Sequence, residues 1–312
     1  MNIIYYPDDV RPDHWVRQIL AIGNFDGFHR GHAKLIKQVR QRASELNSMA
    51  AVLTFDPHPS RIVKPGKAQA LLMTQAQKLE CLEQEGIDCT GIVKFTATLS
   101  QLEPEDFVRK VLVDWFCVAE VWVGLNFLFG RDRSGNFSLL RSLGSRYGFS
   151  VKKIDSVRYK DFVVSSTRIR RLISEGFVDE AGALLGRHYF IDGEVVSGTQ
   201  RGTVQGFPTA NLLTENDIVP PNGVYVTTVR LDGVIHPAVT NIGIRPTFKT
   251  NGERVVETHI FNYKNDLYGK YIRVAFVKRL RDEKEFPDVN ALQAQIVSDC
   301  ERAKALFERI SL

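Results

Sequence analysis

The sequence predicts a Rossmann-like α/β domain built on a parallel sheet, followed by a small antiparallel β-barrel with a C-terminal helix. Three observations carry that expectation. Short apolar strands alternate with amphipathic helices over residues 1–184, an order that calls for a parallel sheet covered on both faces. From His188 onward strands follow strands, punctuated by proline and glycine. The chain has 312 residues, more than one hydrophobic core usually organises, so two domains, 1–184 and 185–312, are expected.

In chain order, Ile19 to Gly23 is an apolar run ending in glycine, the pattern of a buried parallel strand. Leu35, Ile36, Val39, Ala43 and Leu46 then recur at helical spacing between lysines and arginines. A second buried strand, Ala50 to Phe55, stops at Asp56-Pro57-His58-Pro59. A helix is expected from about Thr74, a good cap, to Gln84. Gly91 to Phe95 reads as a strand, and Pro104 to Trp115 as a helix with proline in its first turn. Glu120 to Gly124 is a third strong strand, followed by a loop to Gly135, a helix to Gly148 and a strand from Ser150 to Val157. Ser165 to Ile173 looks like a capped helix, and a short helical stretch, Val178 to Leu185, closes the first half.

In the second half, strands are expected at His188 to Val196, Gly223 to Leu231, Val234 to Thr240, Val255 to Asn262 and Tyr271 to Val277. Asp232-Gly233 marks a hairpin between two of them. Leu292, Ile296, Cys300, Ala303 and Leu306 give the closing helix.

Composition narrows the function classes. The formal charge of +5 is too small and too dispersed for a nucleic-acid groove; it fits phosphate-bearing small ligands or an ordinary surface equally. Cys81, Cys89, Cys117 and Cys300 show no CxxC spacing, which argues against disulfides and for a reducing compartment. No leader-like N-terminus and no membrane-length apolar run is present, so a cytoplasmic, membrane-free protein is expected.

The densest chemistry lies in Ile22-Gly23-Asn24-Phe25-Asp26-Gly27-Phe28-His29-Arg30-Gly31-His32, which joins the first strand to the first helix. Such a turn brings backbone close to a ligand and points unpaired helix N–H groups at an anion. His29 and His32 are three apart and lie on one face if the helix starts here. Two imidazole donors beside a helix N-terminus suit nucleotidyl transfer, which needs positioning and charge stabilisation more than covalent help. A zinc pair or two surface histidines would share this spacing.

The turn resembles the HxGH turn of the nucleotidyltransferase superfamily, and more narrowly the N-terminal module of bifunctional bacterial riboflavin kinase/FAD synthetases. Thr54-Phe55-Asp56-Pro57-His58-Pro59, Val123 to Gly130 and Ser165-Ser166-Thr167-Arg168-Ile169-Arg170 match the same family in the same order. The resemblance implies a nucleotidyltransferase domain that binds ATP at Gly23, Asn24, Phe25 and Gly31. It implies His29 and His32 as catalytic, stabilising the triphosphate as the FMN phosphate attacks. Ser165, Thr167 and Arg168 would hold the pyrophosphate side, and Asn126 would meet the flavin. Pro57 and His58 would contact flavin or simply form a rigid prolyl turn; Ser165 to Arg170 read alone is a helix cap with a basic face.

The second signature is Gly198-Thr199-Gln200-Arg201-Gly202-Thr203-Val204-Gln205-Gly206-Phe207-Pro208-Thr209-Ala210-Asn211, by spacing a loop between strands. Glycines Gly198, Gly202 and Gly206 can wrap phosphates with backbone N–H groups. The Thr209 hydroxyl and the Asn211 carbonyl are hard oxygens suited to Mg²⁺. The stretch resembles the riboflavin kinase motif, which implies nucleotide contact by Pro208 and Thr209. Thr203 and Gln205 stand where relatives usually have a basic residue and a leucine. Asn241 to Phe248 and Val256 to Ile260 match the same family. Glu257 matches its catalytic glutamate, the base for the ribityl 5′-hydroxyl; on its own it reads as an outward-facing strand residue or a purposely buried carboxylate. Leu280 to Phe286 resembles a flavin-closing loop, with Arg281 touching flavin.

The resulting expectation is a bifunctional enzyme. The barrel would phosphorylate riboflavin to FMN and the α/β domain would adenylylate FMN to FAD, both with ATP and Mg²⁺. The partners expected are these small molecules, with no nucleic acid or membrane, and the chain a monomer or weak homo-oligomer. A flavin-binding regulator lacking one or both activities is the alternative.

Overall fold

Six parallel strands organise the first unit of the computed structural model: β1 (Asn2–Tyr6), β2 (Gln18–Ile22), β3 (Ala50–Asp56), β4 (Cys89–Lys94), β5 (Val118–Gly124) and β6 (Ser150–Ile154). The structure describes residues 1–197, 207–245, 253–263 and 265–309. By contacts the chain divides into Met1–Ser166 and Thr167–Leu312.

The sheet order is β1-β4-β3-β2-β5-β6. Every residue of β2 is buried, because it lies mid-sheet and is covered on both faces. Leu20, Ile22, Leu53, Val121 and Val123 pack to one side on Val108, Leu112, Phe116 and Leu140. Ile19, Ala21 and Val52 pack to the other on Leu35, Ile36 and Val39 of α1 (Arg30–Glu45). Short α2 (Pro59–Val63) follows β3, and α3 (Gln75–Gln84) carries the expected Thr74 capping box. Then come α4 (Ala97–Ser100) and α5 (Pro104–Phe107). The helix expected to run unbroken to Trp115 becomes π-helical over Val108–Trp115. Next are α6 (Phe137–Tyr147), ended by left-handed Gly148, and a two-stranded ribbon, β7 (Arg158–Tyr159) with β8 (Phe162–Val163).

Parallel strands place all their C-terminal ends on one edge, and β3 and β5 flank β2. The turn after Ile22, the loop after Asp56 and the loop after Gly124 therefore emerge side by side, where the chain reverses its strand order.

The second unit holds most of α7 (Ser166–Ser174) and all of α8 (Val178–Leu185), the latter packed on β9 and β14 of a closed barrel. The barrel strands are β9 (Tyr189–Val196), β10 (Ala210–Thr214), β11 (Gly223–Leu231), β12 (Val234–Arg245), β13 (Glu253–Ile260) and β14 (Tyr271–Arg281), closed in the order β10-β13-β12-β11-β14-β9. Asp232 and Gly233 take positive φ, 49° and 81°, at the expected hairpin. Inside, Thr240 hydrogen-bonds both Thr227 (2.8 Å) and Thr258 (2.9 Å). Outside, α9 (Val289–Phe307) covers Val224, Val226, Val239 and Val277 with Cys300 and Ala303.

Candidate active sites

The turn between β2 and α1 is held in an unusual backbone path. Phe25, Gly27 and Phe28 have φ of 51°, 81° and 35°. Two non-glycine residues there cost on the order of 1 kcal/mol or more each. Their side chains are the anchor, with Phe25 and Phe28 fully or almost fully buried. Buried Asp26 pins the turn from two sides: Oδ1 accepts the Leu72 N–H at 2.9 Å, and its carbonyl accepts the Ser166 hydroxyl at 2.8 Å.

The two histidines have distinct local roles. His29 is the N-cap of α1, its Nδ1 accepting the His32 N–H at 3.3 Å. A neutral ring that accepts at Nδ1 carries its proton on Nε2, which is then a donor. The rings stack, centroids 3.7 Å apart and 11° from parallel. In-plane lone pairs of parallel stacked rings run side by side and do not converge on one ion, so the zinc-pair reading of the spacing fails. Gly31 leaves the ring room: a Cβ there would stand 3.0 Å from His29 Cε1, tight enough to shift the imidazole by a few tenths of an ångström.

Ser166 ties the end of the first unit to Asp26, with half-buried Ser165 before it; in the second unit Thr167 is exposed and Arg168 half-buried. His58 caps α2, Nδ1 accepting the Ser60 N–H at 3.2 Å, and Pro57 precedes it half-buried. Asn126 is exposed in the turn after β5. The sequence reading missed Lys78, a buried lysine on α3 whose Nζ donates to Thr54 Oγ1 at 3.2 Å. Nothing in the chain distinguishes it from a solvent-facing lysine of an amphipathic helix.

In the barrel, strand register assembles the predicted residues. Asn211 of β10 pairs with Glu257 of β13, Glu257 with Asn241 of β12, Asn241 with Val224 of β11, and Val224 with Arg281 of β14. Directly paired antiparallel residues point to the same side. Val224 packs under α9, so this row lies on the outer face. Glu257 is half-buried there between lumen-facing Val256 and Thr258, which corrects the notion of a carboxylate buried within an apolar strand. Asn211 is buried, and its Oδ1 has no hydrogen-bond partner among the described residues. Half-buried Thr209 sits two residues earlier, and the carbonyl of exposed Pro208 hydrogen-bonds His259 Nδ1 at 2.9 Å. Arg281 ends a strand that runs past Val277, rather than lying in a loop; its Nε and Nη2 bind the buried Asp299 carboxylate of α9 at 2.9 and 2.8 Å. Gly198, Gly202, Gly206, Thr203 and Gln205 lie outside the described residues.

A histidine-bearing strand-to-helix turn at the switch point of a parallel sheet, followed in the chain by a closed barrel with its own polar row, is the architecture of a two-module transferase, and two family models place the chain in that class. The model of FAD synthetase matches residues 11–168 and that of riboflavin kinase residues 185–307. Bifunctional riboflavin kinase/FMN adenylyltransferases are similar along nearly their whole length. That of Pseudomonas fluorescens is 36% identical over 98% of each chain. That of Haemophilus influenzae is 37% identical over 92% of this chain and 94% of the relative. That of Escherichia coli K12 is 34% identical over 93% and 92%. A crystal structure from Streptococcus pneumoniae described as a macrolide-efflux protein superposes with a TM-score of 0.89 at 27% identity, covering 97% of this chain and 99% of that one. The chain belongs to the bifunctional riboflavin kinase/FMN adenylyltransferase family.

Proposed function

We propose that the chain makes FMN from riboflavin and ATP in residues 185–312, and FAD and pyrophosphate from FMN and ATP in residues 1–184. The observation that carries this reading is the match to both families, end to end along relatives that hold both activities.

In adenylyl transfer, an FMN phosphate oxygen attacks the α-phosphorus of ATP, the bond to the β-phosphate oxygen breaks, and pyrophosphate leaves. Gly23, Asn24, Phe25 and Gly31 line the phosphate turn. His29, donating from Nε2, and His32 stacked on it stabilise charge on the triphosphate. Ser165, Thr167 and Arg168 hold the departing pyrophosphate. Pro57, His58 and Asn126, on the loops flanking the turn, contact the flavin.

In the kinase reaction the ribityl 5′-hydroxyl attacks the γ-phosphorus, its proton passes to Glu257, and ADP leaves. The glycines Gly198, Gly202 and Gly206, with Pro208 and Thr209, embrace ATP, and Arg281 borders the flavin. Thr209 and Asn211 fit Mg²⁺: the buried Oδ1 of Asn211, which has no partner among the described residues, is a hard acceptor that a cation would satisfy. Bound Mg²⁺ supplies neutralisation of phosphate charge. Among the described residues no helix is long and apolar enough to cross a membrane. We read the chain as cytoplasmic and as a monomer or weak homo-oligomer.

The test is purified protein with riboflavin, ATP and Mg²⁺, products resolved by chromatography. FMN and FAD together are expected; bound but unaltered riboflavin would instead mark a flavin-binding regulator.

A further inference from the structure

Lys78 is placed against elementary preferences in three ways. It is only 7% exposed. It stands in the fourth position of α3, where the helix dipole already presents positive charge. Its one hydrogen-bond partner among the described residues is a neutral hydroxyl, Thr54 Oγ1. Burial pushes its pKa down, opposed by the fields of Asp26 and Asp56. A charge so poorly compensated contributes little to stability, and residues that break several local rules at once concentrate at functional sites.

Thr54 is fully buried near the C-terminal end of β3. Its oxygen accepts from Lys78 while its own hydroxyl donates to the Asn24 carbonyl at 3.3 Å. Asn24 opens the phosphate turn. A trans peptide sets the next N–H, that of Phe25, opposite this carbonyl. Among the described residues neither the Asn24 nor the Phe25 N–H has a hydrogen-bond partner. Fixing the carbonyl thus fixes a donor in the turn that borders the helix N-terminus.

We propose that Lys78 is a positioning residue for adenylyl transfer: through Thr54 it locks the Asn24–Phe25 peptide so that its N–H is presented to a phosphate of ATP. This rests on reading the first unit as an FMN adenylyltransferase. Lys78 touches no reacting atom in this assignment. Its charge polarises Thr54, and Thr54 holds the turn.

The experiment uses the full chain with Lys78→Met, Thr54→Val, Thr54→Ser and the Lys78→Met/Thr54→Val pair. FMN adenylylation with FMN supplied, riboflavin phosphorylation and thermal unfolding are measured on each. Lys78→Met and Thr54→Val are expected to lower kcat/KM for ATP in adenylylation by about tenfold or more, and Thr54→Ser by less than about threefold. The double variant should fall within about twofold of Lys78→Met, because both act through one relay. Riboflavin phosphorylation should stay within about twofold throughout, and the midpoint of Lys78→Met should not drop, since a poorly paired buried charge is removed. Thr54→Val retaining full adenylylation, Thr54→Ser failing as badly as Thr54→Val, or losses that multiply in the double variant would each overturn the relay. Were Lys78→Met to unfold, the two Thr54 variants alone decide. Absence of FAD from the unmodified protein would sink the adenylyltransferase reading, and this inference with it.

Discussion

The imidazoles of His29 and His32 lie face to face, 3.7 Å between centroids, while the Nδ1 of the first accepts the backbone N–H of the second. One ring therefore caps the helix and offers a donor at once. The two roles separate by substitution. Asparagine caps a helix about as well as any residue but has no Nε2 donor; alanine does neither. His29→Asn and His29→Ala should both reduce FAD formation from supplied FMN by about a hundredfold. Only His29→Ala should lose stability, by about 1 kcal/mol. FMN formation from riboflavin should persist in both. Thermal unfolding and product chromatography read the two effects; full adenylylation in His29→Asn would remove Nε2 from the mechanism.

Gly31 tests the same geometry from below. A methyl there meets Cε1 and Nδ1 of His29 at 3.0 and 3.1 Å, and the ring is already stacked on His32. Gly31→Ala should displace the imidazole by a few tenths of an ångström and slow adenylylation about tenfold. Alanine favours the helix by up to about 1 kcal/mol, so thermal stability should hold or rise. An unchanged adenylylation rate would show that ring placement is not limiting.

Glu257→Gln keeps the size and polarity of a half-buried side chain and removes its ability to take a proton. Riboflavin phosphorylation should fall by about a hundredfold or more, with adenylylation of supplied FMN within about twofold. If both activities fall together in a protein that still melts cooperatively, the two-site description is wrong.

Asn211→Leu removes an Oδ1 that has no partner among the described residues and replaces it with an isosteric apolar group. Deleting a buried acceptor that has no partner should leave stability unchanged or raise it by about 1 kcal/mol. The kinase reaction should then need far more Mg²⁺ for half-maximal rate. A normal Mg²⁺ titration would show that Asn211 does not hold the ion.

Three of the four cysteines should differ in reactivity. Cys89 is fully buried and its thiol is pushed up to about 12, by burial first and by Asp88 second. Burial also raises Cys300, while Cys117 is partly exposed. The thiolate is the reactive form, so at pH 8 iodoacetamide should label Cys117 and spare Cys89 and Cys300 until the chain is denatured. Mass spectrometry of native and denatured samples checks this; rapid native labelling of Cys89 would contradict its burial.

Much of the fold was legible because uninterrupted apolar runs such as Ile19 to Ile22 and Ala50 to Phe55 admit few placements besides mid-sheet. What escaped has physical causes. β1 is an edge strand with a mixed burial pattern, so its residues carry no clean period. β10 is five residues long and begins within the Pro-Thr-Ala-Asn motif, which reads as loop. Apolar spacing over Val108 to Trp115 does not distinguish π from α hydrogen bonding. At the sites, residue types were legible and their local partners were not. Histidine is not among the usual caps, and a lysine at helical spacing reads as solvated. Only the β11–β14 pairing shows that Arg281 belongs to a strand, and only α9 shows that Asp299 engages it.

The row Asn211–Glu257–Asn241 exists only because three strands keep one alignment. Side chains alternate along a strand, so removing a single residue from β13 upstream of Glu257 would send position 257 into the lumen beside the threonines. Insertions and deletions in this half of the chain should therefore sort sharply. Those in connecting segments change length alone; those within β10, β12 or β13 swap the inside and outside of a working surface, so lineages that keep the activity should vary in loop length and stay invariant in strand length.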